Sequence, residues 1–572
     1  MQFDPILPES RIRAMRAAGL WGDHLLTDSL DAAVAAQPGA TAIVGRNSLT
    51  GERASLTYAE LAARAERIAL GLSRMGVGRG DVVSFQLPNW WQFTALHLAC
   101  LRIGAVTNPL MPIFRERELG FMLALAESKV FIVPRLYRGF DHAAMARTLR
   151  PRLPRLARLL VVGGEGEEDF DQLLAPQPGA DARAIFAAGR PAADDVVQIL
   201  FTSGTTGEPK GVMHTSNTLF SNVRGYIGRI GLGAADVLMM SSPMAHQTGF
   251  MYGLMAPILL GAKVVLQDIW QPEEAADLIE AEGVTFTMAS TPFLSDLAEV
   301  GARRPASVRS LRMFLSAGAP IPRVLARRAA ESLGATIISA WGMTENGAAT
   351  TTRPDDPPEK AFETDGCPLP GVELRVVDAE GQPLPADQEG RLQIRSASNF
   401  VGYLRRPEWF ATDAEGWFET GDLARLDADG YVRITGRAKD IIIRGGENIP
   451  VVEVEGLIYR HPAVQEAAVV AMPDARLGER ACAFVVPRPS AGAPSLAELN
   501  AFLLRERIAK QYLPERLEVV EQMPKTPSGK IQKFQLRERA KSLTPEQRQG
   551  ISPAARIAPR RGRSSRARSP AS

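Results

Sequence analysis

One stretch of this chain gathers hydroxyls, glycines and a lysine in an order that suits a polyphosphate. Thr202, Ser203, Thr205 and Thr206 lie among Gly204, Gly207 and Gly211, and Lys210 comes near the end of the run. Glycines let a backbone approach an anion closely and present its N–H groups. The hydroxyls and the ammonium add donors for phosphate oxygens. The apolar run at residues 196–201 reads as a buried strand, so the loop projects from a strand end, where ligands bind in open α/β sheets. The spacing is not that of a Walker A loop, because five residues after Gly204 stands Pro209 rather than glycine. A mixture of Ser, Thr and Gly alone would describe any polar hairpin. The fixed order ending in Pro209-Lys210-Gly211 is what points to phosphate.

The whole run, FTSGTTGEPKGV, resembles the phosphate-loop signature of the adenylate-forming superfamily, which includes acyl-CoA synthetases, luciferases and the adenylation domains of peptide synthetases. The resemblance continues in family order over about residues 30–540. It implies nucleotide contacts from Thr202, Ser203, Gly204, Thr205, Thr206, Gly207 and Lys210. Residues 316–320 look like the adenine-side loop, with Gly318 and Ala319 at its centre. Trp341-Gly342-Met343-Thr344-Glu345 matches the segment whose Thr meets the phosphates and whose Glu holds Mg²⁺; Thr205 is the second expected metal contact. Trp341 stands where the family usually has Tyr, and either ring can stack on adenine. Asp422 matches the residue that binds both ribose hydroxyls, a task that suits a carboxylate accepting two O–H donors. Taken alone, Glu345 would read as a solvated turn residue and Asp422 as part of a β-turn.

Further along, the resemblance makes Arg437 a ribose and phosphate contact and Lys439 a hinge. Arg444, Gly445 and Gly446 would line a pantetheine tunnel, where glycines let a thin thiol arm pass. Lys530, preceded by Thr526-Pro527-Ser528-Gly529, would be the adenylation lysine, bridging carboxylate and α-phosphate. His246, Gln247, Thr248 and Gly249 resemble the acyl-site segment, with His246 beside the carboxylate. Many relatives carry an aromatic residue directly before that His, and this chain has Ala245. The catalytic set is then Lys530, Thr344, Glu345 and His246.

The implied reaction follows from the weakness of a carboxylate as an electrophile. Attack on the α-phosphate of ATP replaces an oxide leaving group by AMP and releases pyrophosphate. Two anions must meet, so a lysine, loop N–H groups and Mg²⁺ are the parts required; one well-placed donor of this kind is worth roughly 3–4 kcal/mol in the transition state. The thiol of coenzyme A then takes the acyl group. Three alternatives stay open: a carrier-protein phosphopantetheine as acceptor, oxygen as in luciferase, or a catalytically silent nucleotide-binding protein. Residues 108–119, with Ala245-His246-Gln247-Thr248-Gly249, look most like short- and medium-chain or cyclohexanecarboxylate–CoA ligases.

The elements that must position these residues are alternating helices and strands. Thr57 and Glu60 form a capping-box pattern, followed by Leu61, Ala65, Ile68, Leu72 and Met75 on one helical face. Residues 82–87 read as a buried strand and 93–103 as an apolar helix, and short strands recur at 196–201, 264–266, 285–288 and 336–339. This is an α/β pattern with parallel strands. After about residue 365 the texture turns to short β runs (372–377, 390–395, 431–435), which reads as antiparallel sheet or a small barrel. A smaller α+β segment follows, with a helix at 451–459 and strands at 466–472 and 482–486. The expected division is an N-terminal adenylation domain over 1–436, itself two α/β subdomains plus a β-barrel-like one. A mobile C-terminal domain follows over 437–545, and then a disordered basic tail over 546–572. Within that tail, residues 551–572 hold six arginines and no acid.

A chain of 572 residues exceeds one compact core of roughly 250–300, so more than one unit is required. Net charge is +2, which supplies no global field selecting nucleic acid or anionic membrane. Three scattered cysteines argue against a disulfide framework and fit a reducing cytoplasm. No apolar run reaches the roughly 20 residues needed to span a bilayer; residues 251–266 are broken by Gly253, Pro257 and Gly261 and read as buried core. The partners that the resemblance implies are a small carboxylic acid and coenzyme A, with a homodimer left open.

Overall fold

The computed structural model describes residues 3–202, 208–318, 323–437, 441–444, 447–474, 476–489, 491–526, 529 and 531–543. The chain forms two compact units: Met1–Ala438 with Lys525–Lys530, and Lys439–Pro524 with Ile531–Ser572.

Among the described residues the larger unit is built on three main sheets, with a two-stranded ribbon of Leu136–Tyr137 and Phe140–Asp141 beside them in the chain. A six-stranded sheet runs in the order Lys210–Thr215, Val196–Thr202, Val106–Pro109, Val82–Phe85, Val130–Pro134, Arg158–Val162. All its neighbours are parallel except the first pair, an antiparallel hairpin. The central strands are buried along their whole length, because helices cover a parallel sheet on both faces. One such helix, Tyr58–Arg74, starts as the sequence pattern predicts: Thr57 Oγ1 accepts from Glu60 N at 3.2 Å, and Glu60 Oε2 accepts from Thr57 N at 2.8 Å. Another, Trp91–Arg102, is buried over most of its length.

A nine-stranded sheet has a parallel centre that includes Val237–Met240, Phe286–Ala289, Met313–Ala317 and Thr336–Met343. It ends in the antiparallel strands Gly347–Thr351 and Cys367–Pro368. The change of texture after residue 365 corresponds to a four-stranded antiparallel sheet of Val372–Val377, Gly390–Ser396, Phe418–Leu426 and Val432–Arg437. Its apolar face shares one buried cluster with Trp341, Val212, Phe400 and Tyr403. The apolar stretch at 251–266 is core: a π-helical turn, Phe250–Met255, leads into the short helix Ala256–Leu260.

The smaller unit is α+β. A long hairpin of Val464–Asp474 and Gly478–Pro487 pairs further with Ile442–Arg444 and, in parallel, with Arg516–Val519. The helices Val451–Ile458 and Leu496–Arg505 pack on one face of it around Val469, Ala483 and Val485. Among the described residues no helix is long and apolar enough to cross a membrane.

Candidate active site

The candidate phosphate loop joins the strands Val196–Thr202 and Lys210–Thr215, in which Thr202 and Lys210 pair directly across the ladder. Ser203, Gly204, Thr205, Thr206 and Gly207 lie outside the described residues. The loop's root is gripped by a segment from much later in the chain. Val401 N donates to Met213 O at 3.0 Å, Met213 N to Gly402 O at 3.0 Å, and Leu404 N to Gly211 O at 2.8 Å. Glycine at 211 eases this approach: a Cβ there would sit tightly, 3.2 Å from Leu404 Cβ. The same segment brings two rings to Lys210, whose Nζ stands 5.0 Å from the centroid of Tyr403 and 4.9 Å from that of Trp409. Arg406 pairs with Glu208 at 3.6 Å.

The second component is the hairpin from Thr336–Met343 to Gly347–Thr351, whose turn is Thr344-Glu345-Asn346. Its strands close tightly at Gly342, where a Cβ would sit 2.0 Å from Gly347 O. Glu345 is buried, 7% exposed, unlike the solvated turn residue that its local sequence suggests. The Tyr403 hydroxyl donates to Glu345 Oε1 at 2.7 Å, and Phe400 N donates to Glu345 O at 2.7 Å. Burial pushes the Glu345 carboxyl above the usual range, opposed by the Tyr403 bond and by the charges of Arg437 and Lys210. Burial and the neighbouring Glu345 raise the Tyr403 phenol far above its ordinary value, so it stays a donor. Thr344 is held through its carbonyl, 2.8 Å from His214 Nε2. Burial lowers His214 to about 4, so the neutral ring carries its proton on Nε2 and donates it to that carbonyl.

The third component is Asp422, 2% exposed, on the strand Phe418–Leu426. Trp341 Nε1 donates to its Oδ2 at 2.9 Å, and Arg437 Nε pairs with its Oδ1 at 2.7 Å. Each carboxylate oxygen keeps a further lone-pair site, so the clamp fixes the group's orientation without exhausting its capacity. The indole of Trp341 is packed in the cluster shared with the four-stranded sheet, and its N–H is committed to Asp422.

His246, Gln247, Thr248 and Gly249 form a separate segment at the start of the π-helical turn. His246 Nδ1 accepts from Thr248 N at 3.3 Å. Gln247 is 2% exposed, and among the described residues neither of its amide atoms has a hydrogen-bond partner. The next residue, Phe250, is buried in the core and packs edge-on against His97 at 4.7 Å and Phe93 at 6.5 Å. Gly318 follows the strand Met313–Ala317 with φ +89°.

In the larger unit, therefore, Lys210, Trp341, Thr344, Glu345, Asp422 and Arg437 are linked by a short chain of contacts. Tyr403, Trp409 and His214 join that group without having been singled out in the sequence. In the smaller unit Arg444 pairs with Glu515 at 2.5 Å and donates to Gln511 O at 3.2 Å. Ala319, Lys439, Gly445, Gly446, Lys530 and the tail from residue 546 lie outside the described residues.

Comparison with known proteins gives this geometry its context. Residues 30–404 match the family model of the AMP-binding enzymes, and residues 453–530 match that of the AMP-binding enzyme C-terminal domain. The chain is 41% identical over 531 residues to a medium-chain fatty-acid–CoA ligase of Escherichia coli K12, covering 92% of this chain and 93% of that one. It is 38% identical over 492 residues to a salicylyl-CoA synthase/salicylate adenylyltransferase of a Streptomyces species, covering 84% and 89%. Among solved structures it is similar to the anthranilate CoA ligase AuaEII in complex with anthranoyl-AMP, at a TM-score of 0.83 and 26% identity, covering 92% and 99%. The chain belongs to the AMP-binding enzymes, the adenylate-forming ligases that use ATP to activate a carboxylate.

Proposed function

We propose that this enzyme converts a medium-sized aliphatic or alicyclic acid to its acyl-AMP and then to its acyl-CoA. The observation that carries the reading is the identity, sustained over nearly the whole chain, to a relative named for medium-chain acids and coenzyme A.

In the first step a carboxylate oxygen forms a bond to the α-phosphorus and the bond to pyrophosphate breaks. In this reading Lys210 and the phosphate loop bind the triphosphate, Asp422 and Arg437 bind the ribose, and Lys530 bridges the reacting oxygens. Mg²⁺ would be held by Glu345 and Thr205 and would offset phosphate charge. The donor set suits it: Mg²⁺ is usually bound by one or two carboxylates plus substrate phosphates. No group of three or more His, Cys, Asp or Glu that could hold a resident ion occurs among the described residues. In the second step the thiol sulfur bonds to the acyl carbon, AMP leaves and the thiol proton is released. The smaller unit, through Arg444, Gly445 and Gly446, would receive the pantetheine arm, with Lys439 as the hinge between steps.

The test is pyrophosphate release from ATP and Mg²⁺ across acetate, octanoate, palmitate, benzoate, salicylate and cyclohexanecarboxylate, with and without coenzyme A. Turnover with octanoate or cyclohexanecarboxylate that requires coenzyme A is the expected result. A single stoichiometric burst unaffected by coenzyme A would move the acceptor to a carrier protein. Turnover confined to salicylate or benzoate would replace the acid class.

A further inference from the structure

The residues assigned so far leave one side chain unexplained at the centre of the contacts. Tyr403 touches two of them with two different parts of itself. Its hydroxyl donates to Glu345 Oε1 at 2.7 Å, and its ring lies 5.0 Å from Lys210 Nζ. Trp409 faces the same ammonium at 4.9 Å, so Lys210 sits against two aromatic rings. A cation against ring faces is attracted by their quadrupoles, and the attraction grows where water is excluded. Tyr403 is itself only 5% exposed and has little freedom. Its backbone is fixed as well, since Val212 and Tyr403 form an antiparallel bridge and Leu404 N binds Gly211 O at 2.8 Å. The N-terminal segment closes the support from behind: Ile6 N donates to Val401 O at 2.6 Å, and Arg11 Nη2 to Asn399 O at 2.5 Å.

We propose that Tyr403 is a positioning residue that sets Glu345 and Lys210 in a fixed mutual arrangement, with Trp409 completing the aromatic seat for Lys210. The hydroxyl restricts rotation of the buried carboxylate and leaves its remaining lone pairs directed at a cation arriving with the triphosphate. The two rings hold the ammonium against the loop's root, ready for the phosphates. The hydroxyl and the rings can therefore be tested separately. This inference rests on the reading that Glu345 meets the metal and Lys210 the triphosphate.

The experiment uses the full chain and no carboxylic acid, so that it is independent of the substrate. Binding of Mn²⁺ in the presence of ATP is measured by electron paramagnetic resonance, and binding of ATP by calorimetry, for Glu345→Gln, Tyr403→Phe and Trp409→Leu. Tyr403→Phe keeps the ring and removes only the hydroxyl, so Mn²⁺ binding should weaken about tenfold with ATP affinity little changed. Trp409→Leu should weaken ATP binding about fivefold and leave Mn²⁺ binding in the ATP complex unchanged. A merely structural role would move the melting temperature without this split. If Glu345→Gln weakens Mn²⁺ binding and Tyr403→Phe stays within twofold of the parent, the positioning role is overturned and the metal reading stands. If Glu345→Gln itself has no effect, the metal reading fails first. If Trp409→Leu binds ATP as the parent does, the aromatic seat is overturned.

Discussion

Replacing Trp341 by Phe isolates one hydrogen bond in the candidate ribose site. Asp422 is 2% exposed and holds two donors, Trp341 Nε1 at 2.9 Å and Arg437 Nε at 2.7 Å. Phe keeps an apolar ring at 341 and removes the N–H. A hydrogen bond to a charged group contributes about 1.5–3 kcal/mol net, which corresponds to about ten- to 150-fold in an equilibrium constant. Arg437 remains, so the lower end is the relevant one: an increase of about tenfold in KM for ATP with kcat changed much less. A second readout separates this from lost stacking. If Asp422 accepts both ribose hydroxyls, the parent should favour ATP over 2′-deoxy-ATP by about tenfold in kcat/KM, and the preference should shrink to about twofold in the variant. Pyrophosphate release with both nucleotides measures both quantities. An unchanged preference together with an unchanged KM would refute the clamp. A raised KM with the preference intact would assign Trp341 to the adenine ring instead.

Three further outcomes follow from the same geometry. Lys530→Ala should abolish acyl-AMP formation from ATP while leaving conversion of supplied acyl-AMP with coenzyme A largely intact; equal loss of both half-reactions would remove Lys530 from the first step alone. Gln247 is buried with both amide atoms unpartnered among the described residues, which suits the carboxylate or carbonyl of the acyl group. Gln247→Leu should therefore raise KM for the acid about tenfold and leave KM for ATP unchanged, and an unchanged KM for the acid would count against an acyl-site role. Burial holds His214 at about 4 in the folded chain, below its ordinary 6.5. The unfolded chain takes up that proton first, so stability is lost as pH falls from 6.5 towards 4, by about 2 kcal/mol at pH 5. His214→Gln should flatten the dependence of the urea midpoint between pH 7 and 5 by a corresponding amount, and an identical slope would show that His214 is not the group responsible.

Much of the scaffold was legible in the sequence because its strands are buried on both faces and read as continuous apolar runs. The strand expected at 196–201 is Val196–Thr202, buried along nearly its whole length. The one at 372–377 is Val372–Val377, of which only Val376 and Val377 are buried, and it was legible as a short valine-rich run instead. Ends were less legible where the ladder outlasts the apolar signal. The strand read at 466–472 extends to Val464–Asp474, because the ladder continues through Pro473 with Glu479 and Asp474 with Gly478, where side chains already reach water. The strand read at 336–339 runs on to Met343 because its antiparallel partner Gly347–Thr351 continues the pairing, which Gly342 alone permits at that separation. Thr57 and Glu60 form the expected capping box because a cap is a local bond between residues three apart.

The candidate site was legible only in pieces, and the reason is topological. The candidate phosphate loop belongs to the outermost hairpin of the six-stranded sheet, Glu345 to a hairpin near one end of the nine-stranded sheet, and Asp422 to the four-stranded sheet. Each piece carries a local motif, and none is a site by itself. Beyond the apolar cluster and the backbone bonds of residues 400–404, they are joined by single side-chain bonds between residues far apart in sequence: His214 to the Thr344 carbonyl, Trp341 to Asp422, and Tyr403 to Glu345. The residues that make such joints have no periodicity and no spacing rule, so Tyr403, Trp409 and His214 look like ordinary core in the sequence. Their chemistry appears only when the three sheets meet. It follows that a substitution at a joint should disturb the coupling between two motifs, metal against phosphate or ribose against adenine, before it disturbs the fold. Measurements that read two ligand contacts separately are therefore the ones that distinguish a joint from a core residue.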